Sequence, residues 1–384
     1  MCENIIFLKQ IYDISGRLIK AEPKFGKILD SKKVSIKDIA SKSGVSIGTV
    51  DRVIHQRGEV SEKTRKKVLK VIEALNYQPN LIARSLASKK KLRLAILLPS
   101  ANSENEYWHF PQIGIKKALN EIHDHGPVVH QLSFDQGNRK EFLEQLKKLE
   151  SLDYDGLLTA AIFPDDLSEY IASHRKSKSI ILVDSNIPDS GIDFVGQDAI
   201  KSGHVAGRLI ELLTATYEQS KVLIPKLVSN PQSMPILLKR IEGFKQYFQN
   251  LERQPVFHEV TYTIKPHQKS IPELRKALNQ GYQAVFVPNS RSYLVSENTT
   301  KKLSIIGYDL IDQNVKLLIE GGIDFVISQQ PERQGYMAVM RLFNKLIGKT
   351  NSTMQYHLPI DILMKENVEN YINKQMEFKS DIGY

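Results

Sequence analysis

Short apolar runs alternate with amphipathic helical segments through most of the chain from Leu92 onward. The runs have the length of strands buried on both faces, and the segments between them, such as Phe142–Leu149 and Arg240–Phe248, have helical apolar spacing. This alternation predicts an α/β fold with parallel, doubly wound sheets. The runs outnumber the strands of one compact sheet, so we expect two lobes. The predicted strands are Leu94–Leu98, Val128–Leu132, Gly156–Leu158, Ile180–Val183, Phe194–Gly196, Val222–Ile224, Val256–Val260, Ala284–Val287, Leu303–Ile306 and Phe325–Ile327.

The net charge of +10 is concentrated near the start of the chain. Residues 32–93 hold 16 Lys and Arg against 5 Asp and Glu, whereas residues 94–384 hold 32 against 34. A small basic module joined to a large neutral one indicates that the first binds a polyanion such as nucleic acid. The alternative is a charged helical head that is merely soluble.

Composition excludes several classes of protein. With 41% hydrophobic and 25% charged residues, the chain is neither disordered nor collagen-like. Its apolar runs fall short of the roughly 18 residues that a membrane span needs, and its first residues lack a secretory pattern. Cys2 is the only cysteine, which excludes an intrachain disulfide and a cysteine-based zinc site. We therefore expect a cytoplasmic protein without a cofactor.

Residues 34–75 carry the signals of three short helices. Ser35, Ser46 and Ser61 are suitable N-caps for them, and Gly44 lies where a tight turn needs a positive φ. The predicted apolar positions are Ile36, Ile39 and Ala40 in the first helix, Ile47, Val50, Val53 and Ile54 in the second, and Val68, Leu69, Val71, Ile72 and Leu75 in the third. Two short helices joined by a glycine turn and followed by a third predict a helix-turn-helix head.

The second of these helices is expected to enter the major groove of DNA. Arg52 can donate two hydrogen bonds to a guanine, whereas Thr49 and His55 are placed to contact phosphates, which orient without specifying. The alternative makes Arg52 and His55 solvated surface groups. The expected contacts on and beside this helix are Ser46, Ile47, Gly48, Thr49, Asp51, Arg52 and His55.

The segment after the third helix is a candidate linker. Pro79 disfavours helix at the preceding residue and so ends the third helix. Leu81–Ala87 is compatible with a helix but spans only about two turns, which is marginal in water. It is either an unstructured linker or one that folds only against DNA.

Polar side chains follow several of the predicted strands, where open α/β sheets bind ligands. Asp184 ends one strand, and Tyr107–Phe110 follows the first strand closely. Arg240 is expected at the start of a helix. Carboxylates, amides and an arginine beside an aromatic platform suit a polyhydroxylated ligand. Any one of them could instead be a turn former or helix cap, so the predicted pocket depends on their coincidence. Its residues are Trp108, Asp184, Arg240, Asn289, Asp309 and Gln329.

Enzymatic chemistry finds little support in the sequence. It lacks a glycine-rich dinucleotide motif, a phosphate loop and a Gly-x-Ser-x-Gly nucleophile elbow. The nearest approach to a metal cluster is His123–His125, which lies just before Gly126 and Pro127. Because adjacent residues on a helix face different ways, we expect a solvated turn there and no metal site.

The head resembles that of the LacI-type (lac repressor family) regulators. The matching motifs are Val34–Ala40, Gly44–Ser46, Thr49–Val53, Val60-Ser61, Thr64-Arg65, Leu75–Tyr77, Pro79-Asn80 and Ala83-x-x-Leu86. Two positions depart from the family pattern. Asp51 stands where the family usually has Ser, and Gly48 has no side chain at a position that commonly contacts a base.

The resemblance implies a homodimer whose heads bind a near-palindromic operator. Residues 80–87 would form a hinge helix in the minor groove, contributing Asn80 and Ala83, with Leu86 wedged between central base pairs. The rest would be a two-lobed domain like that of periplasmic binding proteins. The five strand-end and helix residues Asp184, Arg240, Asn289, Asp309 and Gln329 match effector-contacting motif positions of the family.

We therefore expect an effector-controlled transcriptional regulator, most simply a repressor, whose effector is a sugar or sugar derivative. The expected domains are an extension of unknown role (1–33), the head (34–78), the hinge helix and linker (79–91) and the effector and dimerisation domain (92–384). Two alternatives are a solute-binding transport protein and, less favoured, a sugar-processing α/β enzyme. The basic head and the absence of a secretory pattern argue against the first alternative.

Overall fold

In the computed structural model, the described residues are 36–54, 60–75, 91–101, 106–123, 126–232, 234–264, 267–350 and 352–373. They fall into two compact units, the first within Met1–Leu81 and the second within Ile82–Tyr384. Expectations about residues 1–33, the Ser35 cap and the hinge segment 76–90 lie outside the described residues. Within the described ranges, no helix combines the length and the apolar character needed to cross a membrane.

The first unit contains the three predicted helices, Ile36–Ser43, Ile47–Ile54 and Glu62–Ala74. Gly44 has a φ of 62° in the turn between the first two. Ser46 and Ser61 cap the second and third helices, accepting hydrogen bonds from the backbone N–H groups of Thr49 (3.1 Å) and Thr64 (3.4 Å). The small core of this head is formed by Ile39, Ala40, Val50, Val53 and Val68.

One residue assigned to the apolar stripe of the third helix does not belong to it. Leu69 is 48% exposed, although Val68 beside it is fully buried. The head core is only one helix layer deep, so a narrow stripe through Val68 and Ile72 suffices to cover it. Ile47 is also exposed, at 49%, on the face of the second helix expected to meet DNA.

The second unit contains two six-stranded sheets, which define lobe 1 and lobe 2. Lobe 1 is built from β1 (Arg93–Pro99), β2 (Val128–Phe134), β3 (Gly156–Thr159), β4 (Ser179–Asp184), β5 (Asp193–Gly196) and β11 (Gln355–His357). Lobe 2 is built from β6 (Lys221–Val228), β7 (Val256–Thr263), β8 (Ala284–Phe286), β9 (Ser304–Tyr308), β10 (Phe325–Ser328) and β12 (Asp361–Leu363). In lobe 1 the strand order is β11-β5-β4-β3-β1-β2, and in lobe 2 it is β12-β10-β9-β8-β6-β7.

All neighbouring strands are parallel except β10 and β12. Helices cover both sheets, as parallel sheets require. They are Glu106–Trp108 (a 3-10 turn), His109–Glu121, Arg139–Glu150, Pro164–His174, Ala199–Leu213, Pro235–Phe248, His267–Leu278, Ser292–Ser296, Asp312–Glu320 and Pro331–Leu346. The two-lobed, doubly wound architecture predicted from the sequence is confirmed.

The chain passes between the lobes three times, at residues 196–199, 328–331 and 357–361. Gln197, on the first crossover, donates its side-chain amide to the carbonyl oxygens of Ser328 (3.0 Å) and Pro359 (3.3 Å) on the other two. This single side chain therefore fixes the three crossovers relative to one another.

All the predicted strands are present within a few residues of their expected bounds, but β11 and β12 were not predicted. The expectation that Arg240 opens a helix is wrong. That helix begins at Pro235, a favoured first residue because its fixed φ suits the helix and its missing N–H would have no partner there. Arg240 therefore lies in the second turn, on the buried face.

Candidate functional site

Asp184 and Asp309 are two buried carboxylates in the cleft between the lobes. Asp184 is the last residue of β4, and Asp309 directly follows β9. Their side chains are 5% and 3% exposed. The Tyr107 hydroxyl donates to Asp184 Oδ1 at 2.5 Å, and Gln329 Nε2 donates to Asp309 Oδ1 at 2.9 Å. Each strand end thus presents a buried acceptor that is oriented by one donor.

Arg240 is the cation of this site, and it is also buried. Its guanidinium carbon lies 3.9 Å from the centre of the Tyr308 ring, and its Nη1 donates to the Pro288 carbonyl at 2.9 Å. The helix Pro235–Phe248, which carries Arg240, packs backbone to backbone on the helix Ala199–Leu213 at Gly203. A Cβ on Gly203 would lie 2.2 Å from the Arg240 carbonyl oxygen. A glycine in the helix Ala199–Leu213 is therefore needed to place Arg240.

The acid–base properties of the cleft follow from its burial. Desolvation raises the pKa of Asp309 to about 7, although the positive charge of Arg240 and the hydrogen bond from Gln329 favour the ionised form. Desolvation also raises the pKa of Asp184, against the hydrogen bond from Tyr107 and the charge of Arg240. The Tyr107 pKa is raised well above its usual range by burial and by both carboxylates. Tyr107 consequently stays a neutral hydrogen-bond donor.

Several buried polar atoms have no hydrogen-bond partner among the residues that the structure describes. They are Arg240 Nε, Gln329 Oε1, Gln197 Oε1 and Ser185 Oγ, together with Thr159 Oγ1 and Gln334 Oε1. Buried polar groups in proteins are nearly always paired, so a concentration of unpaired donors and acceptors at strand ends indicates a site for a hydrogen-bonding ligand.

Trp108 and Asn289 form hydrogen bonds within lobe 1 and lobe 2, respectively. The Trp108 indole packs edge-on against Tyr107 and donates to Gln136 Oε1 at 2.9 Å. Asn289 donates to the Leu227 carbonyl at 2.8 Å. Gln136 and Asn289 line a small cavity of about 70 Å³. The structure thus brings Asp184, Arg240, Asp309 and Gln329 into one group, which we call the cleft cluster, with Trp108 and Asn289 beside it.

A larger cavity of about 310 Å³ is lined by residues of both lobes. We call it the hinge-side cavity, since Gln197 of the first crossover lines it together with Asp184, Ser185, Asn186 and Lys239. Lys239 Nζ donates to Asn186 Oδ1 at 3.0 Å, which joins lobe 2 to lobe 1 across the cavity.

Tyr107, Gln197 and Lys239 are the site residues that sequence reasoning missed. Tyr107 stands beside Trp108 in the aromatic segment, but the sequence does not indicate which ring faces the carboxylate. Gln197 follows β5 directly, so the strand-end argument that selected Asp184 could have found it. Lys239 precedes Arg240 on the same helix, and no feature of the sequence distinguished it from an exposed helical lysine.

The polar groups of the cleft can bind a hydroxylated ligand. The cleft cluster offers two carboxylate acceptors, the Arg240 donors and the Gln329 amide, and Tyr107 adds a hydroxyl group beside them. This set matches the mixed needs of vicinal hydroxyl groups. Among the described residues, no group of three or more His, Cys, Asp and Glu could hold a metal ion. Of the segment His123–His125, only His123 is described.

The candidate DNA interface is the exposed face of the helix Ile47–Ile54. Ser46, Ile47, Gly48 and Arg52 are exposed, and Thr49 and Asp51 are half-buried. The hydroxyl groups of Ser46 and Thr49 lie 2.9 Å apart, so the cap and the neighbouring residue form one polar surface. The other expected DNA contacts, His55, Asn80, Ala83 and Leu86, lie outside the described residues.

Two family models match the chain. Residues 35–80 match the model for bacterial regulatory proteins of the lacI family, and residues 95–350 match a periplasmic binding protein domain. The second match covers both lobes except β11 and β12, and the first covers the described head.

Individual proteins give the same picture. The chain is 32% identical over 179 residues to the HTH-type transcriptional regulator RegA of Clostridium saccharobutylicum, covering 46% of this chain and 51% of that one. It is 26% identical over 289 residues to the ribose operon repressor of Bacillus subtilis, covering 73% and 82% of the two chains. A putative LacI transcriptional regulator from Bacteroides fragilis has a similar structure, with a TM-score of 0.67, 26% identity and coverage of 73% of this chain and all of that one.

Proposed function

The chain belongs to the lacI family of bacterial regulatory proteins and carries a periplasmic binding protein domain, and on that premise we propose that it is a transcriptional repressor controlled by a sugar-like effector. The observation that carries the proposal is the combination, in one chain, of a helix-turn-helix head with a two-lobed domain whose cleft holds a buried polar cluster. The model that matches the head is one of bacterial regulatory proteins.

The head supplies the DNA-binding part of the proposal. The exposed face of Ile47–Ile54 enters the major groove, where Arg52 contacts a guanine and Thr49 a phosphate. Because an operator with two-fold symmetry is bound by two heads, the functional unit is a homodimer. In this proposal the head comprises residues 34–78, the hinge and linker residues 79–91 and the sensor residues 92–384, with no role assigned to residues 1–33.

The cleft supplies the effector site. Asp184 lies in lobe 1, whereas Arg240, Asp309 and Gln329 belong to lobe 2, so a ligand held by all four stabilises the closed arrangement of the lobes. A ligand shifts a conformational equilibrium only by its difference in affinity for the two states. Contacts that exist in full only when both lobes meet provide that difference, and lobe closure changes the affinity of the hinge and head for DNA.

The relatives support a sugar or sugar derivative as effector. The matched Bacillus subtilis protein is named a ribose operon repressor. The donor and acceptor set of the cleft cluster suits a polyol, and the neighbouring Tyr107 ring provides a face for C–H groups.

A gel-shift experiment on the DNA that flanks the gene tests the regulatory function. We expect a discrete complex that resists competitor DNA at moderate salt and weakens as salt rises, because phosphate contacts release counterions. The complex should change in stability when a matching sugar is added. Binding that is equally strong on unrelated DNA and indifferent to every sugar would contradict the proposal, because it would leave only a nonspecific basic protein.

A further inference from the structure

The two carboxylates of the cleft cluster come from different lobes. Asp184 ends β4 of lobe 1, and Asp309 directly follows β9 of lobe 2. Both side chains are almost completely buried, and they are near enough for the negative charge of Asp184 to raise the pKa of Asp309. Closure of the lobes is therefore the step that brings these two like charges together and removes them from water.

One cation, Arg240 of lobe 2, acts on both carboxylates. Its positive charge favours the ionised form of each. Its guanidinium nevertheless stacks on Tyr308 and donates to the Pro288 carbonyl, and within the described residues it forms no hydrogen bond to either carboxylate. The closed cleft thus buries two negative charges with one positive charge that pairs directly with neither.

The hydrogen-bond donors around the pair are neutral. Tyr107 donates to Asp184, and Gln329 donates to Asp309. Asn314 donates to the backbone carbonyl of Asp309 at 3.0 Å. These three side chains orient the two aspartates without balancing their charge.

Asp184 also lines the hinge-side cavity, where the charged and titratable residues are Asp198, Lys239, Glu242 and His357. Lys239 interacts with the charges of Asp198 and Glu242, so it is balanced by carboxylates of its own. Histidine side chains commonly titrate near neutral pH. An effect of pH on His357 therefore has to be distinguished by experiment from an effect on the carboxylate pair.

Separation of the lobes would reverse the conditions that favour protonation. Burial disfavours the charged form of a carboxylate, and a neighbouring negative charge does so further. In the closed cleft both act on Asp309 and raise its pKa to about 7. In an open cleft water reaches the side chain, so its pKa returns toward the roughly 3.9 of a hydrated aspartate. Because the closed state binds the proton more tightly, a falling pH favours closure.

We propose that closure of the lobes takes up one proton, held by the Asp184–Asp309 pair, and that the protein therefore responds to acidity as well as to its effector. The proton comes from water and adds to a carboxylate oxygen of Asp309, and no other bond changes. This inference rests on the proposed function, since it assigns a second regulator, the proton, to the effector cleft.

Double electron–electron resonance on the full-length protein without sugar tests the proposal. Nitroxide labels at Lys140→Cys in lobe 1 and Glu297→Cys in lobe 2, with Cys2→Ser, report the distance across the cleft, because both sites are exposed and follow the cleft ends of β2 and β8. Dilution with unlabelled protein leaves one labelled protomer in each dimer. We expect the ratio of closed to open molecules to rise about tenfold from pH 8 to pH 6, as one proton with a pKa near 7 requires. An unchanged distance distribution overturns the proposal.

Three variants of the labelled protein assign the proton. Asp309→Asn resembles the protonated carboxylate but does not titrate, so its ratio should change less than twofold between the two pH values. Asp312→Asn removes an exposed carboxylate three residues later and should keep the tenfold change, as should His357→Gln. Melting curves establish that every variant is folded. A tenfold change that persists in Asp309→Asn, or that disappears in His357→Gln, would place the proton elsewhere and overturn the assignment.

Gel shifts of the unlabelled wild-type protein on the flanking DNA separate this inference from the proposed function. A protein whose lobes close at low pH but that binds the flanking DNA no better than unrelated DNA would refute the regulatory function and leave proton-linked closure intact. A protein that binds the flanking DNA specifically but shows the same distances at both pH values would do the reverse.

Discussion

Asp184 and Asp309 occupy equivalent positions in the two lobes, and both have a φ of 66°. Asp184 ends β4 and Asp309 directly follows β9, and these are the fourth strands in the matching orders β2-β1-β3-β4 and β7-β6-β8-β9. A left-handed conformation at a non-glycine residue costs free energy and is most often retained at functional sites. The duplicated lobes therefore present two carboxylates to one cleft by the same local backbone geometry.

The free energy of unfolding should depend on pH because Asp309 titrates at a different pH in the folded and unfolded states. Its pKa of about 7 in the folded protein exceeds the roughly 3.9 of an unfolded chain. The folded state therefore binds more protons between these values, and the free energy of unfolding falls as pH rises from about 4 to 7, by at most about 1.4 kcal/mol per pH unit from this group. Melting curves of the ligand-free protein from pH 5 to 8 measure this slope.

Asp309→Asn should flatten this slope, because the amide does not titrate. The exposed carboxylate Glu320 provides a control, since Glu320→Gln should leave the wild-type slope unchanged. A slope that persists in Asp309→Asn would assign the titration to another group, with the buried Asp184 as the first candidate.

Arg240→Ala should abolish the response to effector while sparing DNA binding. The substitution removes a buried cation that faces two carboxylates and stacks on Tyr308, so we expect a loss of roughly 2–5 kcal/mol in effector binding. Titration with an identified sugar measures it. Lys245→Ala lies on the same helix but pairs with Glu259, and it should behave as wild type. Loss of DNA binding together with normal sugar binding would show that the site is misplaced.

Gly203→Ala should destabilise the sensor and disturb the effector site together. The added Cβ would meet the Arg240 carbonyl oxygen at 2.2 Å and the Phe244 nitrogen at 2.7 Å, so the two helices must separate. Overpacking of this kind typically costs about 1–3 kcal/mol. Thermal melting measures the loss, and Lys201→Ala on the exposed side of the same helix is the control. An unchanged melting temperature would mean that the helices adjust without strain.

Arg52→Ala should weaken binding to the specific operator by roughly 1–3 kcal/mol, if its guanidinium contacts a base. Binding to random DNA should change much less. Fluorescence anisotropy on both duplexes gives the comparison, and Lys66→Ala, exposed on the third helix, should affect the two DNAs alike. An equal loss on both DNAs for Arg52→Ala would make Arg52 a phosphate contact.

The fold was largely predictable because the central strands are buried on both faces. Runs such as Ile180–Val183 are apolar without interruption, and this pattern does not depend on the rest of the structure. β11 and β12 are different. Each has three residues and is only partly buried, and each becomes a strand by pairing with an edge that exists only after the lobe has formed.

Site residues could be predicted only where they lie at the end of a predicted strand. Asp184 and Gln329 follow directly from the rule that ligands bind at strand ends. The partners of these residues come from elsewhere in the chain, as Tyr107 does for Asp184 and Lys239 for Asn186. The first pair is set by packing within lobe 1 and the second by packing of one lobe against the other, and local sequence encodes neither.

The three crossovers have a consequence for synthesis of the protein. Because β11 and β12 come from residues 355–363, the edge of either sheet is incomplete until this stretch has left the ribosome. The head, within the first 81 residues, is made of local contacts and can fold long before. A nascent or prematurely terminated chain would therefore contain a folded DNA-binding head without a folded metabolite sensor.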